Sequence, residues 1–283
     1  MEARPATQHL TRPFGTDPLW GRNPPPCPDG WATGTPDFVG VGAARCGTSW
    51  WFRQITRHPG VFFDRRLHTK EVHFFNKMRD FQRLPDHYAE RYAQHFPRPP
   101  EAGLTGEWTP RYMLDPWVMR QMHQVAPAAR ILLMLRDPVA RYASGYARTM
   151  RQERRAGGSH LPERVIEGEV IRGFYLRQVR RVLDAFPRER VLILQYERCC
   201  LDYESQLDRT WEFLGVEPGF RPPTTARNVP RAHGHHGFLH NRRGTKLAEA
   251  YVEDSARLAE IAPEIDLSLW PSVGDLPSLG ERA

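Results

Sequence analysis

An apolar run, Asp37–Val41, leads directly into Gly42-Ala43-Ala44-Arg45-Cys46-Gly47-Thr48-Ser49, and a helical pattern begins at Thr48. Small residues at such a turn let the backbone come close to a ligand. The amides that open a helix point outward and carry partial positive charge. Arg45 adds a full charge, and Thr48 and Ser49 add hydroxyls. These residue types suit a phosphate-like anion. A second cationic point follows: the run Arg130–Leu135 ends in Arg136-Asp137-Pro138, with Ser144 eight residues beyond Arg136. An arginine at a strand end and a hydroxyl two turns into the next helix can converge on one anion; the alternative is that Arg136 only pairs with Asp137. Between the two lies Lys70-Glu71-Val72-His73-Phe74-Phe75, which holds two candidate general bases, Glu71 and His73. A carboxylate there is raised by burial beside aromatic rings and lowered by Lys70 and nearby arginines.

Gly42-x4-Gly47 has the spacing of a nucleotide phosphate loop, but Thr48 stands where a kinase or NTPase carries lysine. That counts against phosphoryl transfer. Arg45-Cys46-Gly47-Thr48-Ser49-Trp50 instead resembles the 5′-phosphosulfate loop of sulfotransferases that use 3′-phosphoadenosine 5′-phosphosulfate (PAPS). In that family a basic residue precedes x-Gly-Thr-(Thr/Ser). Arg45 stands where much of the family has lysine, and it keeps the charge with a different donor geometry. Arg136-Asp137-Pro138 with Ser144 resembles the family's run for the 3′-phosphate, and Arg242-Arg243-Gly244 is similar to its late Arg-Lys-Gly loop. Lys70–Phe75 resembles the Lys-Glu-Pro-His-Phe-Phe run of carbohydrate-type members, whose glutamate is the base; here Val72 replaces the proline. Gly106-Glu107-Trp108-Thr109-Pro110-Arg111-Tyr112 resembles Gly-Glu-Lys-(Ser/Thr)-Pro-x-Tyr, with Trp108 in place of a lysine that often lies near the acceptor.

The resemblance covers about residues 37–270. It implies in-line transfer of a sulfuryl group from PAPS to a hydroxyl or amine of a carbohydrate or small natural product, leaving PAP. It assigns cofactor binding to Arg45, Cys46, Gly47, Thr48, Ser49, Trp50, Arg136, Ser144, Arg242, Arg243 and Gly244. Glu71 and Arg45 become catalytic, with His73 the alternative base, and Lys70, Trp108 and Tyr112 face the acceptor, although a tryptophan at 108 can equally belong to the core. No metal is required; His233, His235 and His236 fit no standard zinc spacing. Cys46 sits at a helix start, a position that favours thiolate, so PAP is expected to shield it from alkylation. The competing readings are a P-loop kinase and a non-catalytic binder of nucleotide or nucleic acid.

The elements around these residues alternate. Short apolar runs at 37–41, 61–63, 104–107, 130–135 and 191–196 read as strands. Helical patterns fall at 48–57, 85–96, 115–125 (capped by Asp115), 139–151, 162–186, 203–214 and 246–261. That alternation predicts an α/β, P-loop-containing three-layer fold with a central, mostly parallel sheet flanked by helices. Ligands of such sheets bind at the carboxyl ends of the strands, where both anion-binding runs fall. Residues 1–35, rich in Pro and Gly, read as an irregular lead-in, and 36–283 as a single domain.

Composition sets outer bounds. The 283 residues are 40% hydrophobic and 26% charged, as in ordinary globular chains. The net charge of +7 rests on arginine, since the only lysines are Lys70, Lys77 and Lys246. The arginines are dispersed, which disfavours nucleic acid and fits a small polyanion. No apolar stretch reaches membrane-spanning length. The first twenty residues show no signal-peptide core, and Cys27, Cys46, Cys199 and Cys200 form no disulfide framework, so the expected location is the cytoplasm.

Overall fold

The computed structural model describes residues 16–17, 21–77, 84, 87–223 and 242–274. Four strands form the central sheet: β1 (Phe38–Gly42), β2 (Gly106–Trp108), β3 (Arg130–Leu135) and β4 (Val191–Gln195). Their order is β2-β1-β3-β4, and all three pairings are parallel. Nearly every residue of these strands is buried, which explains why they read as unbroken apolar runs rather than alternating ones. The expected strand at 61–63 is only a single bridge, Val61 to Leu104. Part of the lead-in is tied to the body, because Ala32–Thr33 pairs antiparallel with Pro97–Arg98.

The main helices are α1 (Thr48–Ile55), α2 (Phe74–Lys77), α3 (Tyr88–Ala93), α4 (Val118–Val125), α5 (Pro138–Arg155), α6 (Glu163–Ile171), α7 (Leu176–Ala185), α8 (Tyr196–Leu201), α9 (Tyr203–Leu214) and α10 (Arg242–Ile261). From β1 the chain steps outward to β2, then back past β1 to β3, and on to β4. Right-handed crossovers therefore set α1 on one face of the sheet and α4, α5 and α7 on the other. The contacts agree: Trp51 of α1 donates to Thr210 of α9, while α7 packs with α4 and α10. The reversal of direction between β1 and β3 makes a switch point, and a crevice opens there beyond the strand ends.

Two helix boundaries differ from the pattern. Asp115 does not cap α4, which begins at Val118; its carboxylate instead accepts from Asn76 and Arg111. The expected long helix over 162–186 is broken into α6 and α7 around Gly173. A Cβ on Gly173 would lie 2.5 Å from the Tyr251 ring of α10. Tyr251 also donates to the Val170 carbonyl at 2.7 Å. The break thus lets α10 seat against the sheet-covering helices. By contrast, α5 starts where Pro138 and Asp137 direct it, with the Asp137 carboxylate accepting from the Val139 and Ala140 amides.

Candidate active site

At the switch point, β1 runs into a turn that ends at Gly47, whose φ of 89° opens α1. A side chain at Gly47 would also strike Tyr196, at 2.6 Å from the ideal Cβ to the ring. Glycine is needed there for both conformation and space. Beside this turn, β3 delivers Arg136 and α5 delivers Ser144. Both turns border one cleft of about 580 Å³, lined by Arg45, Gly47, Thr48, Ser49, Trp50, Glu71, His73, Arg136 and Ser144. Residues separated by up to 99 positions are joined directly: Arg45 Nε and Nη2 donate to Ser144 Oγ at 3.2 and 2.9 Å.

Two arginines of the cleft, Arg45 and Arg136, have no carboxylate partner among the described residues. Arg136 is nearly buried, lies 4.6 Å over the Tyr196 ring, and has a buried Nε without a hydrogen-bond partner. Asp137 does not neutralise it, because its carboxylate is taken by the helix cap and by Ser272. Arg45 is pressed below the usual guanidinium range by burial first, then by Arg148 and Arg151. Crowded, part-buried cations of this kind are stabilised by a polyanion. Among the described residues, the non-glycine residues with positive φ are Arg45 (72°) and His73 (59°), and both border this cleft. Uncommon backbone conformations tend to collect at functional sites.

Glu71 sits on the opposite wall. Lys70 Nζ donates to its Oε1 at 3.0 Å and also reaches Thr48 Oγ1 at 3.4 Å. His73 Nε2 lies 3.2 Å from Glu71 Oε2, and its Nδ1 faces Asn76 Oδ1 at 3.0 Å. Burial by itself raises the Glu71 carboxyl, but the hydrogen bonds and charges of His73 and Lys70 outweigh it and hold the group at about 2. The bond to Glu71 draws His73 above its ordinary value. Glu71 is therefore a carboxylate at neutral pH, clamped between Lys70 and His73.

Two expected acceptor contacts lie in the core instead. Trp108 is fully buried under β1, with Nε1 donating to the Gly42 carbonyl and its ring against Gly40; it has no face for an acceptor. Tyr112 is likewise buried, and its hydroxyl donates to Glu107. Both replace an expected acceptor contact with a core role. Cys46 is buried, 3.5 Å from the Tyr175 hydroxyl, and burial pushes its thiol up to about 11. The helix start does not make it a thiolate. Iodoacetamide is therefore expected to label exposed Cys27 quickly and Cys46 only on unfolding, whether or not PAP is added; peptide mass spectrometry reads this. Arg242, Arg243 and Gly244 form the first turn of α10. His233, His235 and His236 fall outside the described residues, and among those described no cluster could hold a metal ion.

The structure adds residues that the motifs passed over. Arg53 and Arg148 line the cleft. Each stands four positions after a predicted site hydroxyl, Ser49 or Ser144, so the i,i+4 rule was the available signal. Tyr196 and Arg111 also line it; Tyr196 follows β4 at its carboxyl end, where ligand-binding residues gather. A larger cleft of about 930 Å³ lies at the other end of β1, near Asp37, His58 and Arg98. There Arg98 pairs with Asp37 at 2.6 Å, and His58 meets the Glu217 carbonyl at 2.8 Å.

At the switch point of this parallel sheet, two cationic, hydroxyl-bearing turns and one carboxylate border the same cleft. The sulfotransferase domain model matches residues 35–229, and the chain belongs to that family. It is 27% identical to mouse heparan sulfate glucosamine 3-O-sulfotransferase 6 over 190 residues, 64% of this chain and 53% of that one. The chain thus spans about half the length of this curated relative. A sulfotransferase of Alicyclobacillus acidocaldarius superposes with a TM-score of 0.65 at 28% identity, covering 83% of this chain and 98% of that one. A mouse sulfotransferase solved in complex with PAP shares the fold alone, at a TM-score of 0.50 and 15% identity, covering 80% and 85% of the two chains. Among the described residues no helix is long and apolar enough to cross a membrane.

Proposed function

We propose that this sulfotransferase takes its sulfuryl group from PAPS and passes it to a hydroxyl or amine of a carbohydrate or small-molecule acceptor, with Glu71 as general base. The observation that carries the reading is the convergence of Arg45, Thr48, Arg136, Ser144 and Glu71 on one cleft. The residues fit the donor. Arg45, Thr48, Ser49 and the first amides of α1 suit its 5′ end, and Arg136, Ser144 and Arg148 suit its 3′-phosphate. The unpartnered Nε of Arg136 is a donor awaiting such an acceptor. PAPS supplies an activated sulfuryl group; the chain supplies position, charge and a proton acceptor.

Glu71 is a weak base, yet a weak base suffices. An alcohol becomes strongly acidic only as its oxygen bonds to sulfur, so the carboxylate receives the proton late. Lys70, between Glu71 and Thr48, links the base to the phosphosulfate loop. The loss of a lysine at position 108 and the burial of Trp108 leave Arg53, Arg111 and His73 as the cleft's polar wall toward an acceptor. A sugar is the favoured class, in keeping with the name of the curated relative.

The test is to offer PAPS with glucosamine, alkyl glycosides and a simple phenol, and to follow PAP release. Acceptor-dependent release supports the reading; ATP-dependent and magnesium-dependent turnover instead would support the kinase alternative. The pH profile then separates the two bases. With Glu71 held at about 2, the rate should stay level as pH falls from 8 to 5. If neutral His73 were the base, the rate would fall as His73 gains its proton below its raised pKa, about tenfold per pH unit.

A further inference from the structure

Glu107 is fully buried, and among the described residues it forms no ion pair. Four donors converge on its carboxylate. Tyr92 and Tyr112 hydroxyls donate to Oε1 at 2.8 and 2.9 Å, and Thr109 Oγ1 and the Val72 amide donate to Oε2 at 2.6 and 2.9 Å. Two of these donors are themselves acceptors. Thr109 Oγ1 accepts from the His73 amide at 3.3 Å, and the Tyr112 hydroxyl accepts from the Phe74 amide at 2.9 Å. Three consecutive amides, at 72, 73 and 74, therefore end on one carboxylate, one directly and two through a hydroxyl.

This segment is the one that carries Glu71 and His73. Its backbone takes a left-handed turn at His73, a conformation that costs free energy in a residue with a side chain. Amides of successive residues around such a turn form a concave donor set suited to an anion. Here the group at their focus is an internal carboxyl, Glu107. A neutral acceptor would bind three amides less strongly, because hydrogen bonds to an ionised group are about twice as strong. Burial holds the Glu107 carboxyl above its ordinary range, and its four donors offset that only in part.

We propose that Glu107 is a positioning residue for the reaction: with Thr109 and Tyr112 it fixes the backbone at 72–74, and so holds Glu71 and His73 toward the cleft. It rests on the reading of Glu71 as base. Glu107 does not touch the cleft itself; it acts through the loop. Tyr92 braces Glu107 but bonds to no amide of the loop in this network, so the two tyrosines offer a matched comparison. Each loses one buried hydroxyl on replacement by phenylalanine, and only one of them loses the relay.

The experiment compares Tyr112→Phe, Tyr92→Phe and Glu107→Gln in the full chain. Turnover is read with PAPS and the strongest acceptor of the panel above, PAP affinity by titration, and the His73 ring by NMR titration. Tyr112→Phe and Glu107→Gln should lower kcat tenfold or more with PAP affinity within twofold of wild type. In both, the His73 titration should move down toward about 6.5, the ordinary histidine value, as the Glu71 contact loosens. Tyr92→Phe should show a loss in kcat at least fivefold smaller, at a similar thermal midpoint. Equal kcat losses and an unmoved His73 in the two tyrosine variants would overturn the proposal and leave Glu107 a core polar group. Should Glu71→Gln retain wild-type turnover, the base reading falls, and the positioning of the loop is then decided by the His73 shift alone.

Discussion

Glu71→Gln lowers kcat by about two to four orders of magnitude, the range expected for loss of a general base, and leaves PAP affinity unchanged. Glutamine preserves the shape of the side chain and one acceptor oxygen for Lys70, whose Nζ lies 3.0 Å from Oε1. It cannot accept the acceptor's proton. It also removes the charge that draws His73 above its ordinary value, so His73 should titrate lower in the variant. The measurement is a steady-state rate with saturating PAPS beside a PAP titration. Near-wild-type turnover would move the proton to His73. A loss of PAP affinity equal to the loss of rate would show that Glu71 shapes the donor site rather than the chemistry.

Arg136→Ala weakens PAP binding by about 10- to 150-fold, since a hydrogen bond to a charged group contributes about 1.5–3 kcal/mol. The same change should cost far less for adenosine 5′-phosphosulfate, which has no 3′-phosphate. The selectivity follows from place: Arg136 closes β3, rests on Tyr196 and is not spent on Asp137. Paired titrations with the two nucleotides read the ratio. Equal losses for both would detach Arg136 from the 3′-phosphate and make it a general electrostatic contributor. Arg148, one turn beyond Ser144 on α5, should show a smaller loss in the same sense.

The sheet was legible because its strands are buried on both faces: Arg130–Leu135 and Val191–Gln195 read as unbroken apolar runs and emerge as the neighbouring strands β3 and β4. The two anion-binding runs were legible for a local reason, since each is a strand end followed by a helix start. Whatever depended on distant partners was not. The break at Gly173 is set by Tyr251, seventy-eight positions away. Asp115 looked like a cap because it precedes Pro116, but Asn76 claims its carboxylate. Trp108 and Tyr112 belong to a motif near the cleft, yet the Trp108 ring fills the space over Gly40 and the Tyr112 hydroxyl is bound to buried Glu107, so both join the core. Cys46 shows that a helix start does not secure a thiolate when burial opposes it. Of the candidate site, charge and hydroxyl placement could be read; the Lys70–Glu71–His73 clamp and its support by Glu107 needed the three-dimensional arrangement.

The 3′-phosphate site is tested most directly by calorimetric titration of the purified chain with PAP in the presence of a chelator, with ADP and AMP as controls. PAP should bind at micromolar or tighter Kd without metal, and ADP and AMP at least tenfold more weakly. No PAP binding, or equal binding of ADP, would contradict a 3′-phosphate site built from Arg136 and Ser144.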